Sequence, residues 1–152
     1  MSAPHLVVDA SALVDLLLGE ALGAAVANRI DGAVLHAPAH LDAEVLSALG
    51  RLHRAGTLEA PVVAEQLAVL AAAPIERHSL AVLLAGAWGR REFVRLADAL
   101  YVELAVTLGA PLITTDARLA QVVPDAEVVS VSSSPTCGGQ ASIPQALPSS
   151  TS

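Results

Sequence analysis

The sequence contains no lysine; all eight of its basic residues are arginine. Every mechanism that needs a catalytic or phosphate-binding lysine is therefore closed to it. A single cysteine, Cys137, excludes an internal disulfide and a cysteine-rich zinc module, and fits a reducing compartment. Aromatic residues make up 2% of the chain (Trp88, Phe93, Tyr101), too few for a module that stacks bases on aromatic platforms. Positive charge is scarce as well, with 15 acidic residues against 8 basic ones and a net charge of −7. Duplex-binding scaffolds offer the phosphate backbone a basic face, so direct specific DNA binding by this chain is not expected. An acidic protein can still act on nucleic acid when metal ions sit between its carboxylates and the phosphates. Long apolar runs are missing too. Stretches such as Leu80 to Trp88 fall well short of the roughly 20 residues that cross a bilayer. The start Met-Ser-Ala-Pro-His has no basic region of the secretory kind. These absences predict a cytoplasmic protein with no membrane contact.

What the chain does contain is core material. Its 152 residues are 54% hydrophobic, which suits one domain with a substantial interior. Composition shifts near position 130. Residues 130–152 carry no charge and are rich in Ser, Thr, Pro and Gly, without helical or strand period. They read as a flexible appendage, and residues 1–129 as the folded domain.

Within that domain short apolar runs alternate with helical patterns. Strands are expected at His5–Val8, Ala33–His36, Ile75–His78, Leu112–Thr114 and Glu127–Val129. Helices are expected at Ser11–Leu18, Leu22–Ile30, His40–Arg54, Val62–Ala73, Leu80–Trp88, Phe93–Leu108 and Ala117–Val122. Gly56, Gly109 and Pro111 supply stops, and Pro61 a start. Such alternation predicts an α/β fold with a short, mainly parallel central sheet covered on both faces.

In that architecture ligands collect at the carboxyl ends of the strands. Asp9 and Asp116 fall there, although an Asp at a strand-to-helix junction is also a common helix cap. On the third helix Glu44 shares a stripe with Leu41, Ala48 and Leu52; on the helix from Phe93, Asp98 shares its face with Val94, Val102 and Ala105. A carboxylate aimed inward costs several kcal/mol unless it is paired or bound to a metal. Arg95 or Arg118 could supply a pair. Four carboxylates gathered in one cleft would instead raise one another's pKa and call for a divalent cation. Oxygen-only ligands suit Mg²⁺ or Mn²⁺ better than zinc, and such an ion promotes phosphodiester hydrolysis without a covalent enzyme intermediate.

Four segments carry a family resemblance: Val7-Val8-Asp9-Ala10-Ser11-Ala12-Leu13-Val14, Pro38 to Leu49 around Glu44, Arg95-Leu96-Ala97-Asp98-Ala99-Leu100-Tyr101-Val102, and Pro111 to Leu119 around Thr115-Asp116. In this order and spacing, over roughly residues 6–129, the chain resembles the PIN-domain ribonucleases, most closely the VapC-type toxins of bacterial toxin–antitoxin pairs. The resemblance implies a three-layer α/β/α PIN-like domain that cuts RNA, leaving 5′-phosphate and 3′-hydroxyl ends. It implies Asp9 and Asp98 as principal Mg²⁺ ligands, Mn²⁺ being able to substitute. Glu44 and Asp116 would complete the acidic, catalytic pocket directly or through water. Ser11 and Thr115 would orient these carboxylates and contact substrate or water. A homodimer and a cognate VapB-type antitoxin, whose C-terminal segment fills the acidic groove, are implied as well. The Ser/Pro-rich tail departs from the family pattern.

Arg90, Arg91 and Arg95 form the one basic cluster and are candidates for the RNA backbone, or else a solvated helix entrance. His36 and His40 have the spacing of a zinc pair, but Pro38 denies them a continuous helix. His5, His53 and His78 read as structural or surface residues, Asp15 as an exposed helix face, and Trp88, Phe93 and Tyr101 as core or dimer contacts. A phosphatase or receiver-like enzyme is disfavoured: the second Asp that haloacid-dehalogenase-type phosphatases place two residues after the first is here Ser11, and lysine is absent. A non-catalytic PIN-like interaction module is the alternative function.

Overall fold

The first strand, β1 (His5–Val8), is inaccessible at Leu6, Val7 and Val8 on both of its faces, so it must be covered from both sides. In the computed structural model, which describes residues 2–131, it is the middle strand of five. It pairs in parallel with β2 (Val34–Pro38) on one side and β4 (Leu112–Thr114) on the other. β3 (Ile75–His78) adds outside β2, and β5 (Ala126–Val128) outside β4. The order is β3-β2-β1-β4-β5, and all four pairings are parallel.

Register sorts the side chains between two faces. Val7 pairs with His36 and Leu112, and Leu6 with Leu35, which in turn pairs with Ile75. Helices α1 (Ala10–Leu18) and α4 (Ala60–Ala72) cover the Leu35 and Ile75 face, where Leu13, Leu17 and Leu70 surround them. Helix α6 (Leu96–Leu108) covers the other face, bringing Val102 and Ala105 beside Leu112. The result is the expected three-layer α/β/α domain. α2 (Ala21–Ile30) and α3 (Leu41–Arg54) pack on α1, α5 (Leu84–Gly89) on α6, and α7 (Ala117–Val122) connects β4 to β5. Burial of Leu6, Leu13, Leu41, Leu49, Leu104, Leu112 and Ile113, each at most 2% exposed, supplies about 1.5–3 kcal/mol per side chain.

Three local expectations are corrected. α6 begins at Leu96 rather than Phe93, because both Phe93 N–H and Val94 N–H close turns onto Arg90 C=O, and Arg95 is extended with ψ 139°. Val94 therefore does not share a helical face with Asp98. α5 is shorter than the stretch from Leu80, whose C=O closes a turn with Leu83 N–H. β2 runs on through Pro38; the ladder then passes to Ala39, whose N–H donates to His78 C=O at 2.8 Å. Ser130 and Val131 are exposed and irregular, and the remainder of the Ser/Pro-rich segment, Cys137 included, lies outside the described residues.

Strand order reverses between β1 and β4: the chain moves outward to β2 and β3 on one side, and to β5 on the other. A crevice at the carboxyl ends of two such strands is where ligands bind in open parallel sheets.

Candidate active site

Asp9 follows β1 directly and caps α1, accepting the Ala12 N–H at 2.9 Å and the Ser11 hydroxyl at 2.7 Å. Both bonds land on Oδ1, leaving Oδ2 outside the cap. Asp116 stands two residues after β4 and caps α7 through the Arg118 N–H at 2.9 Å. Because Val8 is registered with Ile113, the two caps emerge side by side. Glu44 sits in the first turn of α3 and Asp98 in the first turn of α6. The four carboxylates, with Asp15, line one cavity of about 360 Å³. For Asp9 and Asp116, capping and lining the cavity are thus not alternatives; one side chain does both.

Each of the four lies at the N-terminal end of a helix. There the unpaired amides and aligned peptide dipoles favour negative charge, by about 0.3–1 kcal/mol apiece, which offsets part of the crowding of like charges. The offset is incomplete. Burial pushes the Asp9 carboxyl up, against hydrogen bonding by Thr114, Ala12 and Ser11, and the charge of Asp98 adds to the rise. Asp98 is also raised, by burial and by the charges of Glu44 and Asp116, despite Arg95. Glu44 behaves differently. Burial alone would raise it, but hydrogen bonds from His40 and Tyr101, with the charge of Arg95, hold it below the usual carboxylate range. Asp116 is likewise lowered: burial opposes, but the backbone N–H and guanidinium of Arg118 prevail.

Guanidinium pairing accounts for two of these acids. Arg95 Nε lies 3.5 Å from Asp98 and Arg118 Nε 3.3 Å from Asp116, with the arginine side chains 75% and 84% exposed. Pairs that open to water contribute about 0–1 kcal/mol. Asp9, 5% exposed, has no ion pair among the described residues. The donor set that is left, carboxylate oxygens at a polar cavity with two groups burdened by their own charge, fits a hard divalent cation.

Ser11 links the two strand ends. Its hydroxyl donates to Asp9 and accepts from the Thr115 N–H at 3.1 Å and from Thr114 Oγ1 at 3.1 Å, while Thr114 Oγ1 accepts from the Asp116 N–H at 3.0 Å. Thr115 is placed otherwise than among the four carboxylates: its hydroxyl donates to Asp15 at 2.6 Å. Of the basic cluster, Arg95 stands at the acidic cavity. Arg90 bonds Glu103 at 3.0 Å, and Arg91 lies over Trp88 and pairs with Glu92.

Several residues here escaped the reading from sequence. Asp15 is not a plain exposed face; it lines the cavity four residues after Ser11, one helical turn on. Tyr101 is 1% exposed, as a core residue should be, but its hydroxyl donates to Glu44 Oε1 at 2.7 Å, and burial with that bond raises its pKa. Its signal was the spacing of three from Asp98 on one helix. His40 Nε2 lies 3.0 Å from both Glu44 Oε1 and Ala97 C=O, with its ring 4.7 Å from that of Tyr101. Arg51 also lines the cavity. The buried stripe of α3 is Leu41, Val45 and Leu49, so Glu44 sits on its flank, half-buried. Trp88 and Phe93 are 59% and 76% exposed. A larger cavity of about 610 Å³ lies against α6, but Arg90 and Asp125 are its sole charged residues and it offers no set of oxygen donors.

The fold has counterparts among known proteins. The PIN domain family model matches residues 6–123. Ribonuclease VapC3 of Mycobacterium tuberculosis is 54% identical over 126 residues, covering 82% of this chain and 92% of that protein. Ribonuclease VapC12 of the same organism is 42% identical over 119 residues, covering 76% of this chain and 90% of that protein. The crystal structure of PAE2754 from Pyrobaculum aerophilum superposes with a TM-score of 0.60 at 25% identity, covering 83% of each chain.

Proposed function

The chain belongs to the PIN-domain family, among the VapC ribonucleases, and on that premise we propose that it is a Mg²⁺-dependent endoribonuclease, the toxin of a toxin–antitoxin pair, working in the cytoplasm. It hydrolyses RNA phosphodiester bonds to 5′-phosphate and 3′-hydroxyl ends. The observation that carries this reading is the meeting of Asp9, Glu44, Asp98 and Asp116 in one cavity at the strand-order reversal, with Asp9 raised by burial and the charge of Asp98, and Asp98 by burial and the charges of Glu44 and Asp116. Asp9 and Asp98 would hold the ion, with Glu44 and Asp116 completing the site directly or through water. When bound, Mg²⁺, or Mn²⁺ in its place, polarises the phosphate and acidifies water.

The chain's own groups then have separable roles. Glu44, kept ionised by His40 and Tyr101, is placed to accept the proton of an attacking water. Ser11, which donates to Asp9 and is itself held by Thr114, fixes the orientation of Asp9. Arg95 and Arg51, at the cavity, offer guanidinium groups to phosphates flanking the scissile bond. The same crowding of negative charge suits a basic side chain of a VapB-type antitoxin, and the protein acts as a homodimer. Among the described residues no single helix is long and apolar enough to cross a membrane.

The test is to purify the chain free of antitoxin, incubate it with RNA and map the new ends, beside Asp9→Asn and Asp98→Asn. Cleavage with Mg²⁺, stopped by EDTA and lost in both variants, is expected. Variants that cut at the wild-type rate, or cleavage that survives EDTA, would refute the assignment.

A further inference from the structure

Away from the acidic cavity, three histidines form a hydrogen-bonded row across the sheet. Their strand positions explain why. His36 is registered with Val7 of β1 and Glu76 of β3, so it shares a face with both; His5 and His78 stand two residues from those partners, on that same face. His5 Nδ1 lies 2.8 Å from His36 Nε2, and His36 Nδ1 lies 2.9 Å from His78 Nε2. Glu76 closes on the second pair: its carboxylate is 3.4 Å from His36 Nδ1 and 3.9 Å from His78 Nε2. His36 is 4% exposed, whereas Glu76 and His5 reach solvent.

We infer that His36 Nδ1, His78 Nε2 and the Glu76 carboxylate form a second metal site, one for a Zn²⁺-type transition-metal ion, that pins edge strand β3 to β2. His36 Nδ1 and His78 Nε2 stand 2.9 Å apart, and Glu76 turns a different oxygen to each, Oε2 at 3.4 Å and Oε1 at 3.9 Å. Ligands of a tetrahedral ion with bonds near 2.0–2.1 Å stand about 3.3–3.4 Å apart, a spacing that rotation of the exposed Glu76 side chain can meet. Two imidazoles and one carboxylate suit zinc, nickel or copper, and are poor for Mg²⁺, which prefers oxygen alone. Ligation through His36 Nδ1 requires the proton to sit on Nε2. His5 Nδ1, at 2.8 Å, is placed to accept a hydrogen bond from that Nε2–H and so to fix the ligating tautomer. The fourth position opens toward solvent beside the exposed Glu76. The three ligands and His5 share no residue with the acidic cavity, so the two sites can be tested apart.

The experiment titrates untagged full-length protein with Zn²⁺, and separately with Co²⁺ as a spectroscopic probe, in excess Mg²⁺. Wild type and Asp98→Asn should each bind one equivalent, show the intense d–d bands of tetrahedral cobalt, and gain in Tm with Zn²⁺. His78→Gln and Glu76→Gln, at accessible edge-strand positions, should retain the wild-type circular dichroism yet bind more than about 100-fold more weakly, and His5→Gln about 10-fold more weakly. Equal binding by wild type and His78→Gln, loss of binding in Asp98→Asn, or failure of the wild type to bind one equivalent would each overturn the inference.

Discussion

Tyr101→Phe removes one oxygen and keeps the ring volume, so it isolates the contact between the core and the acidic cavity. The ring is 1% exposed and its hydroxyl donates to Glu44 at 2.7 Å. Hydrogen bonds to a charged group contribute about 1.5–3 kcal/mol. Glu44 retains His40 at 3.0 Å, and cavity water can reach it, so the expected loss is about 1–2 kcal/mol at neutral pH. In a domain of this size that lowers Tm by about 3–8 °C. The pH dependence has a definite sign. Burial would raise the Glu44 pKa, but the bonds from His40 and Tyr101 hold it below its ordinary value. A depressed carboxyl contributes stability that is present above its unfolded pKa and is lost as pH falls through the folded one. The variant loses the share of that depression that Tyr101 supplies. Its deficit should therefore be full at neutral pH, begin to shrink as pH falls below the ordinary Glu value of about 4.3, and close once pH has passed through the lowered folded value. Urea melts of the two proteins in EDTA, across that range, provide the measurement. A deficit under about 0.5 kcal/mol at neutral pH, or one that widens on acidification, would refute the reasoning.

Four other outcomes follow from the structure. Asp98→Asn should lower RNA cleavage by at least about 100-fold with unchanged circular dichroism, as measured by end mapping and initial rates. Wild type should gain about 1.4 kcal/mol at Mg²⁺ ten times its Kd, a rise of about 3–5 °C in Tm that Asp9→Asn and Asp98→Asn lack. In EDTA the sign reverses: Asp98 has a raised pKa, so its contribution to stability is lost as pH rises through the folded value. Asp98→Asn should then melt above wild type near neutral pH, with the gap closing toward about pH 4. Gly23→Ala should cost about 1–3 kcal/mol in chemical denaturation, because a Cβ there would stand 2.1 Å from the Asp15 carbonyl oxygen of the packed neighbour α1.

Much of this molecule is written in local pattern. The run Leu6-Val7-Val8 without polar alternation announces a strand covered on both sides, and Asp9 and Asp116 at strand-to-helix junctions announce both a cap and a strand-end position. The order of four short motifs sufficed for the family, since each pairs an acid with the helix start that carries it. Burial and capping repeat over a few residues, and a few residues are enough to encode them.

Contacts between distant elements have no such local record. The fall of Asp15 onto Thr115, of Tyr101 onto Glu44, and of His5, His36 and His78 into one row joins residues 100, 57, 31 and 42 positions apart. Each depends on strand order and on a register in which a slip of one residue would send the side chain to the opposite face. The start of α6 likewise turned on two hydrogen bonds to Arg90 C=O, which helical periodicity does not carry. Residue type and period set which groups must be buried or capped; the parallel ladder, assembled across the whole chain, set which of them would meet.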